Sequence, residues 1–299
     1  MNPQLSGILY ALAAFVLWGL LPAYWKQLQS VAPLEILCHR VVWSCLFLCL
    51  IITYQKRWVE VTQTFKSNSQ LKKLFCSGSL IGCNWFIYIW AVNTGHVIET
   101  SLGYYITPMV NVLLGFLLLG ERFSRPQLIA FLSVVTGICY SLGTYGDLPY
   151  LGLTLAFTFA FYGYTRKKNT VLPIPALLIE TCVLIVPALV YIGWLSFNAE
   201  SLFFHRVDIF LWLLGSGIVT SVPLLLFAAA TVRLKLSTVG ILQYLAPTIA
   251  FCLGVFIYRE SFNTNDLITF CLIWLGIIIY SFGSFRNSKV LKSLKGAGT

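Results

Sequence analysis

Long apolar runs alternate with short polar ones along the whole chain. A helix that crosses the hydrocarbon core of a bilayer needs roughly 18–22 predominantly apolar residues. Windows of that length occur at residues 6–25, 34–54, 74–93, 98–119, 127–145, 148–165, 174–196, 209–230, 236–258 and 266–285. The pattern therefore predicts an all-α membrane protein with ten transmembrane helices.

The composition indicates that lipid surrounds most of this protein. Hydrophobic residues make up 58% of the 299 residues, charged residues make up 10%, and the mean hydropathy is +0.83. A soluble domain of this size carries about 25% charged residues. The longest polar stretch, near residues 55–73, is too short for a separate soluble domain. The first apolar run lacks the basic flank of a signal peptide, so we expect it to be a permanent helix.

The net charge of +10 does not indicate a nucleic-acid partner, because the basic residues follow the predicted loops. With the N-terminus inside, sixteen of the 20 Lys and Arg residues lie in inner loops or in the C-terminal tail. The outer loops hold Lys26, Arg206 and Arg259, and Arg40 lies within a span. This asymmetry fits the positive-inside rule for one orientation only. We expect both termini to be cytoplasmic.

The second half of the chain repeats the first. The segment YITPMVNVLLGFLLLGERF from Tyr105 aligns with YLAPTIAFCLGVFIYRESF from Tyr244, 139 positions later. Eleven identities fall in the 35 ungapped positions from Tyr104 to Ile138. A fainter echo relates FVLWG, which contains Trp18, to FAFYG, which contains Tyr162. The repeat predicts a five-helix unit over residues 1–146, a second over 147–285, and a basic cytoplasmic tail over 286–299.

A unit with an odd number of spans, followed by its copy, inserts the copy upside down. Inverted repeats of this kind are typical of secondary transporters, whose substrate site lies at the repeat interface near the bilayer midplane. The two related halves can exchange conformations and open a central cavity to each side in turn. The pattern therefore predicts alternating access.

Polar residues inside a span are costly in lipid and usually face a cavity. In the second span Glu35, His39 and Trp43 share one helix face, with Arg40 adjacent. We interpret this face as a cavity wall on which His39 or Glu35 could take a proton. Arg40 either faces the cavity or extends to the headgroups of the outer leaflet.

The third and fourth spans add further candidates for the cavity. Asn84, Trp85 and Tyr88 lie close together in the third span, and Asn84 either binds substrate or bonds a neighbouring helix. In the fourth span Tyr104 and Asn111 share a face with Pro108, which removes a backbone donor and predicts a kink.

The second half repeats the proline and adds a carboxylate. Pro247 follows Gln243 and Tyr244 as Pro108 follows Tyr104, so the two prolines are predicted hinges. Glu180 in the seventh span is either a cavity carboxylate or a partner of the basic loop 166–168. For Glu121 and its counterpart Glu260 we favour a contact at a helix end over substrate binding.

Nothing in the sequence predicts a metal site, a cofactor or a catalytic centre. The nine cysteines lie in the predicted spans or at their ends, without Cys-x-x-Cys or metal-ligand spacing. His96 and Glu99 resemble an acid/base pair but fall in an outer loop. No nucleophile occupies a Gly-x-Ser-x-Gly turn, and no phosphate-binding loop occurs.

Several segments together resemble the EamA group of the drug/metabolite transporter superfamily, and most closely the RarD (chloramphenicol-sensitive protein) family. They are EILCHRVVWS, the run from NWFIYIWAVN through SLGYYITP to LLLGERF, AFTFAFYGYTRKK, and GIVTSVPLLLFAAATVRLKLSTVGILQYLAPT. The resemblance extends over nearly the whole chain. It implies a bacterial inner-membrane permease and leaves the substrate open.

The expected function is secondary-active transport, with export as the expected direction. The substrate is a small metabolite or drug-like solute, such as an amino acid or an aromatic compound, and protons are a candidate coupling ion. The alternatives are an intramembrane enzyme, a flippase for a lipid-linked carrier, and a channel. We expect a monomer or a weak homodimer.

Overall fold

A computed structural model describes residues 2–93, 97–122, 124–145, 150–198, 201, 203, 206–258 and 264–287. Each apolar window of the sequence falls on helical structure. The ninth window contains two short helices, Leu236–Gln243 and Leu245–Cys252, followed by a π-helical turn at Leu253–Ile257. The helices are α1 Pro3–Trp25, α2 Pro33–Tyr54, α3 Trp58–Lys66, α4 Asn68–Asn93, α5 Val97–Leu119, α6 Arg125–Tyr145, α7 Tyr150–Lys168, α8 Pro173–Phe197, α9 Val207–Thr231, α10 Leu236–Gln243, α11 Leu245–Cys252 and α12 Thr264–Asn287.

Local sequence signals account for several of the helix ends. Helices α1, α2 and α8 each begin on a proline, whose fixed φ suits the first turn and whose missing N–H has no partner there anyway. Helix α5 ends at Gly120, which has φ +63, a conformation that glycine adopts without strain. The amide of Glu121 then donates to the Gly115 carbonyl at 3.0 Å, so the chain folds back on the last turn of α5.

The polar stretch after α2 contains a short helix that the apolar pattern did not predict. Helix α3 buries Val61 and Thr64 against the bundle and leaves Val59 and Phe65 exposed. Arg57, just before α3, donates two hydrogen bonds to Glu60, and these bonds lower the pKa of that carboxyl. The alternation of apolar and polar residues in α3 fits a helix that lies at the membrane surface.

The chain is a multi-pass membrane protein. Within the described residues, six stretches are long and apolar enough to cross a membrane: Pro3–Leu28, Pro33–Tyr54, Arg125–Thr144, Pro173–Phe197, Val207–Thr231 and Leu236–Ile257. Two shorter apolar stretches, Gly103–Leu119 and Leu267–Tyr280, lie in α5 and α12. Helices α4 and α7, which are more polar, pack against each other inside the bundle.

The helices pack in a pattern that is symmetric between the two halves. The principal contacts join α1 to α9 and α11, α2 to α8 and α9, α4 to α7 and α8, α5 to α7 and α10, and α6 to α12. Exchanging α1 with α7, α2 with α8, α4 with α9, α5 with α10–α11 and α6 with α12 returns the same set of pairs.

Glycines allow the closest of these helix contacts. A Cβ atom added to Gly217 of α9 would lie 2.3 Å from the carbonyl carbon of Trp43 in α2. In the α6–α12 pair, a Cβ on Gly276 would meet the Ala130 carbonyl oxygen at 2.8 Å, and one on Gly137 would meet the Leu272 Cβ at 3.0 Å. Close packing of small residues is the main source of helix association in lipid.

The two predicted hinges differ in the structure. Helix α5 continues through Pro108 to Leu119. In the second half the helix is interrupted at Tyr244, three residues before Pro247, where α10 ends and α11 begins. The sequence symmetry therefore does not extend to the helix break. Pro108 also makes a close approach to α10, since a Cβ on Gly240 would lie 2.6 Å from its carbonyl oxygen.

Candidate functional site

Arg40 occupies the centre of the best candidate site. Its Nε donates a hydrogen bond to Thr220 Oγ1 of α9 at 2.9 Å. Its guanidinium lies over the rings of Trp25 and Trp85, with the carbon atom 4.9 Å from each ring centroid. Both distances are within the range of a cation–π interaction. The guanidinium of α2 is thus fixed by α1, α4 and α9 together.

Two tyrosines complete the surroundings of Arg40. Tyr88 of α4 and Tyr104 of α5 lie close enough to interact electrostatically with the guanidinium. Their rings meet edge to face, with the centroids 5.9 Å apart. Tyr104 is 51% exposed, although it belongs to this interior group. We call Arg40, Trp85, Tyr88 and Tyr104, with Trp25 and Thr220, the Arg40 cluster.

Glu35, His39 and Trp43 form a separate, buried group on the same helix. His39 Nδ1 accepts a hydrogen bond from Trp43 Nε1 at 3.2 Å, so a neutral ring carries its proton on Nε2. That Nε2 lies 4.0 Å from Glu35 Oε1. Glu35 accepts a 2.6 Å bond from Ser201, and Phe203 stacks on the histidine ring at 4.5 Å. The predicted face exists, but its residues are covered rather than open.

Asn84 holds two helices together. Its Nδ2 donates to the Leu155 carbonyl at 2.8 Å and to Thr158 Oγ1 at 2.9 Å, both on α7. Of the two interpretations of this amide, the structure supports the bond to a neighbouring helix. The side chain joins the two halves of the chain.

Asn111 likewise bonds a helix of the other half. Its Nδ2 donates to Gln243 Oε1 of α10 at 2.8 Å, and the asparagine is fully buried. Tyr244 is also fully buried and donates its hydroxyl to the Tyr105 carbonyl at 3.0 Å. These candidates and Pro108 belong to the contact between α5 and the end of α10 and lie apart from the Arg40 cluster, whereas Pro247 lies on α11, which packs against α1.

Trp18 and Tyr162 belong to an aromatic core between α1, α7 and α9. The ring of Trp18 lies 5.8 Å from Phe159 and 5.6 Å from Phe227. Tyr162 is fully buried and stacks on Phe227 at 6.2 Å. Trp18 and Phe159 are only partly buried, so they are the members of this core that a ligand could reach.

Glu180 is paired with a basic residue. Its Oε1 lies 3.3 Å from Arg166 Nη1 and accepts a 2.5 Å bond from Ser77, while Tyr162 donates to Oε2 at 3.4 Å. Glu180 and Arg166 are both buried. Of the two interpretations of this carboxylate, the structure supports the pair with the 166–168 segment.

Glu121 makes the helix-end contact that the sequence favours. It accepts hydrogen bonds from the Leu236 amide at 2.7 Å and the Ser237 amide at 3.0 Å, at the start of α10. A carboxylate at this position satisfies free N–H groups and the positive end of the helix dipole. Its counterpart Glu260, and His96, lie outside the described residues, as does the side chain of Glu99.

The structure thus brings together four of the predicted site residues, Arg40, Trp85, Tyr88 and Tyr104, and distributes the others over separate groups elsewhere in the bundle. Sequence reasoning missed Trp25 and Thr220. Trp25 looks like an ordinary aromatic at the end of a span, and Thr220 looks like a small residue within an apolar run. Neither position carried a signal that it would contact Arg40.

Known proteins resemble this chain over most of its length. The EamA-like transporter family matches residues 5–143 and again residues 149–282. The chain belongs to this family. It is 42% identical over 276 residues to Protein RarD of Escherichia coli, covering 92% of this chain and 93% of that protein. This similarity places it in the RarD group of the EamA-like transporters.

Other relatives are similar to this chain over nearly the same length. An uncharacterized transporter of Bacillus subtilis, YojE, is 39% identical over 291 residues, covering 96% of this chain and 97% of the relative. The chloramphenicol-sensitive protein RarD of Pseudomonas aeruginosa is 28% identical over 293 residues, covering 94% and 95%. A solved crystal structure with 17% identity has a TM-score of 0.68 and covers 92% of this chain and 97% of that chain, which shows a shared fold.

Proposed function

We propose that this EamA-like protein is a secondary-active transporter that moves a small organic solute across the bacterial inner membrane. In this proposal ten spans form two inverted five-helix repeats, residues 1–146 and 147–285, and both termini are cytoplasmic. The halves alternate between conformations that open the site to each side. The expected direction is export.

The symmetric packing of the helices is the observation that carries this proposal. Every principal contact has a counterpart when the helices of the two halves are exchanged, including α1–α9 with α4–α7 and α2–α9 with α4–α8. An assembly of two equivalent halves has two related arrangements of similar energy, which is what alternating access requires. The two matches to the EamA-like family, one per half, support the same division.

The two halves of the chain contact each other at both ends of the bundle, and these contacts could break alternately. In the proposed orientation Glu121 joins the first half to the start of α10 at the inner end. At the outer end, Lys26 Nζ lies 3.6 Å from the ring centroid of Tyr258. Each contact would break when the cavity opens to its own side of the membrane.

His39 with Glu35 is the pair that we propose for proton coupling. A proton taken up by the histidine would face the Glu35 carboxylate 4.0 Å away. Exchange of labelled solute in proteoliposomes should respond to an imposed pH gradient, and His39→Gln should remove that response. Equal rates with and without the gradient would contradict coupling.

Counterflow in proteoliposomes tests the proposed function itself. The full chain is reconstituted, and uptake is followed for a panel of labelled amino acids, aromatic acids and chloramphenicol against an excess of the same solute inside. Transport predicts saturable exchange of at least one solute above protein-free vesicles. Steady ionic conductance in planar bilayers would indicate a channel, and a chemically altered solute would indicate an enzyme.

A further inference from the structure

The positive charge of Arg40 has no negative partner in the described part of the chain, where no carboxylate lies within 4.0 Å of it. The other interior arginine, Arg166, lies 3.3 Å from Glu180. Glu35, on the same helix as Arg40, is already bonded to Ser201. A charge within a membrane protein is costly unless it is paired. Among the described residues, the charge of Arg40 faces the rings of Trp25 and Trp85 and no carboxylate, and an anion from outside the protein could pair with it.

The hydrogen-bonding groups of Arg40 are also mostly unused. A guanidinium has five N–H donors, and among the described residues only the Nε–H has a hydrogen-bond partner, Thr220. Its terminal nitrogens are not among the buried polar atoms that lack a partner in the described structure, so they are not fully enclosed by it. The fork formed by these nitrogens matches the two oxygens of a carboxylate.

The position of Arg40 argues against a simple contact with lipid headgroups. Thr220, to which the guanidinium is tied, lies at the middle of the 25-residue helix α9. Thirteen residues separate it from the start of α9, a distance of about 20 Å along the axis. Trp25, the last residue of α1, also lies over the guanidinium, but the hydrogen bond to Thr220 directs the side chain toward α9. A side chain that extends to the headgroups points the opposite way.

The walls of the cluster select the rest of the ligand. Trp25 and Trp85 flank the guanidinium, and the Tyr88 and Tyr104 rings meet edge to face beside it. Aromatic surfaces of this kind favour a flat, apolar body.

We propose that the Arg40 cluster binds a small aromatic monocarboxylate, with the carboxylate paired to Arg40 and the ring between the aromatic side chains. This inference rests on the proposed transport function, since it names the substrate class of that site. Thr220 is a positioning residue that orients the guanidinium, and Tyr104 forms the accessible wall.

Binding of radiolabelled phenylacetate to the purified full-length protein in detergent tests the proposal without requiring transport. Unlabelled benzoate should compete, whereas the neutral isostere phenylacetamide and the cation phenethylamine should compete at least about tenfold more weakly. A charge-assisted hydrogen bond of roughly 1.5–3 kcal/mol corresponds to such a ratio. Absence of phenylacetate binding, or equal competition by the amide, would overturn the proposal. Equal competition by inorganic phosphate would assign the site to a phosphate headgroup instead.

Variants of the cluster test the role of each residue in phenylacetate binding. Arg40→Gln should weaken phenylacetate binding about tenfold or more, and Arg40→Lys should recover only part of it. Arg206→Ala, at an exposed arginine of the outer loop, should bind as the wild type does. Wild-type affinity in Arg40→Gln would contradict the proposal. If Arg40→Gln does not fold, two other measurements still test the proposal. They are the ratio of phenylacetate to phenylacetamide affinity in the wild type and the weaker phenylacetate binding expected of Thr220→Val.

The two proposals fail in different ways. If phenylacetate binds in detergent but proteoliposomes exchange neither it nor any other solute of the panel, the proposed binding site stands and the proposed transport function is wrong. If proteoliposomes exchange neutral solutes and Arg40→Gln does not change that rate, the transport function stands and the proposed carboxylate site is wrong.

Discussion

Tyr244 donates its hydroxyl proton to the main-chain carbonyl of Tyr105 at 3.0 Å. The two tyrosines are 139 positions apart, which is the separation that aligns the two halves of the sequence. Ser133 repeats the relationship, since its hydroxyl donates at 2.8 Å to the carbonyl of Leu272, also 139 positions later. Equivalent positions that touch each other lie beside a common two-fold axis. Both bonds therefore support the proposed pseudo-symmetry.

Tyr244→Phe should destabilise the contact between α5 and the junction of α10 and α11. The change removes one partly buried hydrogen bond, at a cost of about 1 kcal/mol. Unfolding in mixed micelles with increasing SDS measures the difference. Tyr54→Phe is the matched control, because Tyr54 is 90% exposed and should tolerate the change. Equal stability of the two variants would show that the Tyr244 bond contributes nothing.

Glu180→Gln should be far more damaging than the same change at a surface pair. It leaves the buried Arg166 without its opposite charge, for which roughly 3–5 kcal/mol is typical. Glu60→Gln breaks the solvent-exposed pair with Arg57 and should cost at most about 1 kcal/mol. Chemical denaturation of both variants gives the comparison. A small loss in Glu180→Gln would mean that water reaches Arg166.

Glu121→Gln should weaken the start of α10. The neutral amide keeps an acceptor oxygen but loses the charge that favours the helix N-terminus, so we expect a loss of about 0.5–2 kcal/mol. Ser237→Ala removes only the hydroxyl bond to the carboxylate, which measures 2.5 Å, and retains both amide bonds. Thermal unfolding should rank Glu121→Gln below Ser237→Ala, and the reverse order would contradict the cap.

Gly217→Ala should disrupt the contact between α9 and α2. The added methyl would lie 2.3 Å from the Trp43 carbonyl carbon, so one helix must move, at a cost of roughly 1–3 kcal/mol or more. Gly143→Ala is the control, because nothing lies within 4 Å of its added Cβ. In a helix that substitution should stabilise by up to about 1 kcal/mol. Size-exclusion profiles and thermal unfolding separate the two, and a well-folded Gly217→Ala protein would refute the contact.

The helices were predictable because their signal is local. A run of about twenty apolar residues is a helix in lipid whatever surrounds it, since its backbone groups must be bonded within the segment. Helix α3 was missed for the complementary reason. Its apolar residues Val59, Val61 and Phe65 alternate with polar ones in a short stretch that no span-length window detects.

The site was only partly predictable, because polar residues that share a helix face can contact different neighbouring helices. Asn84 and Tyr88 are four positions apart on α4, yet Asn84 is bonded to α7 and Tyr88 borders Arg40. Tyr104 and Asn111 differ in the same way on α5. The sequence places each pair on one helix face but does not say which neighbour that face meets.

The sequence by itself determined that this chain lies in a membrane, that its second half repeats the first, and that it belongs among the EamA-like transporters. Those properties follow from hydropathy and from motifs that are continuous along the chain. Only the tertiary structure decided that Glu180 is paired with Arg166, while Arg40 faces aromatic rings and no carboxylate of the described ranges. The physical reason is that pairing depends on distances between helices that are remote in sequence, such as α2 and α9, and no local pattern encodes those distances.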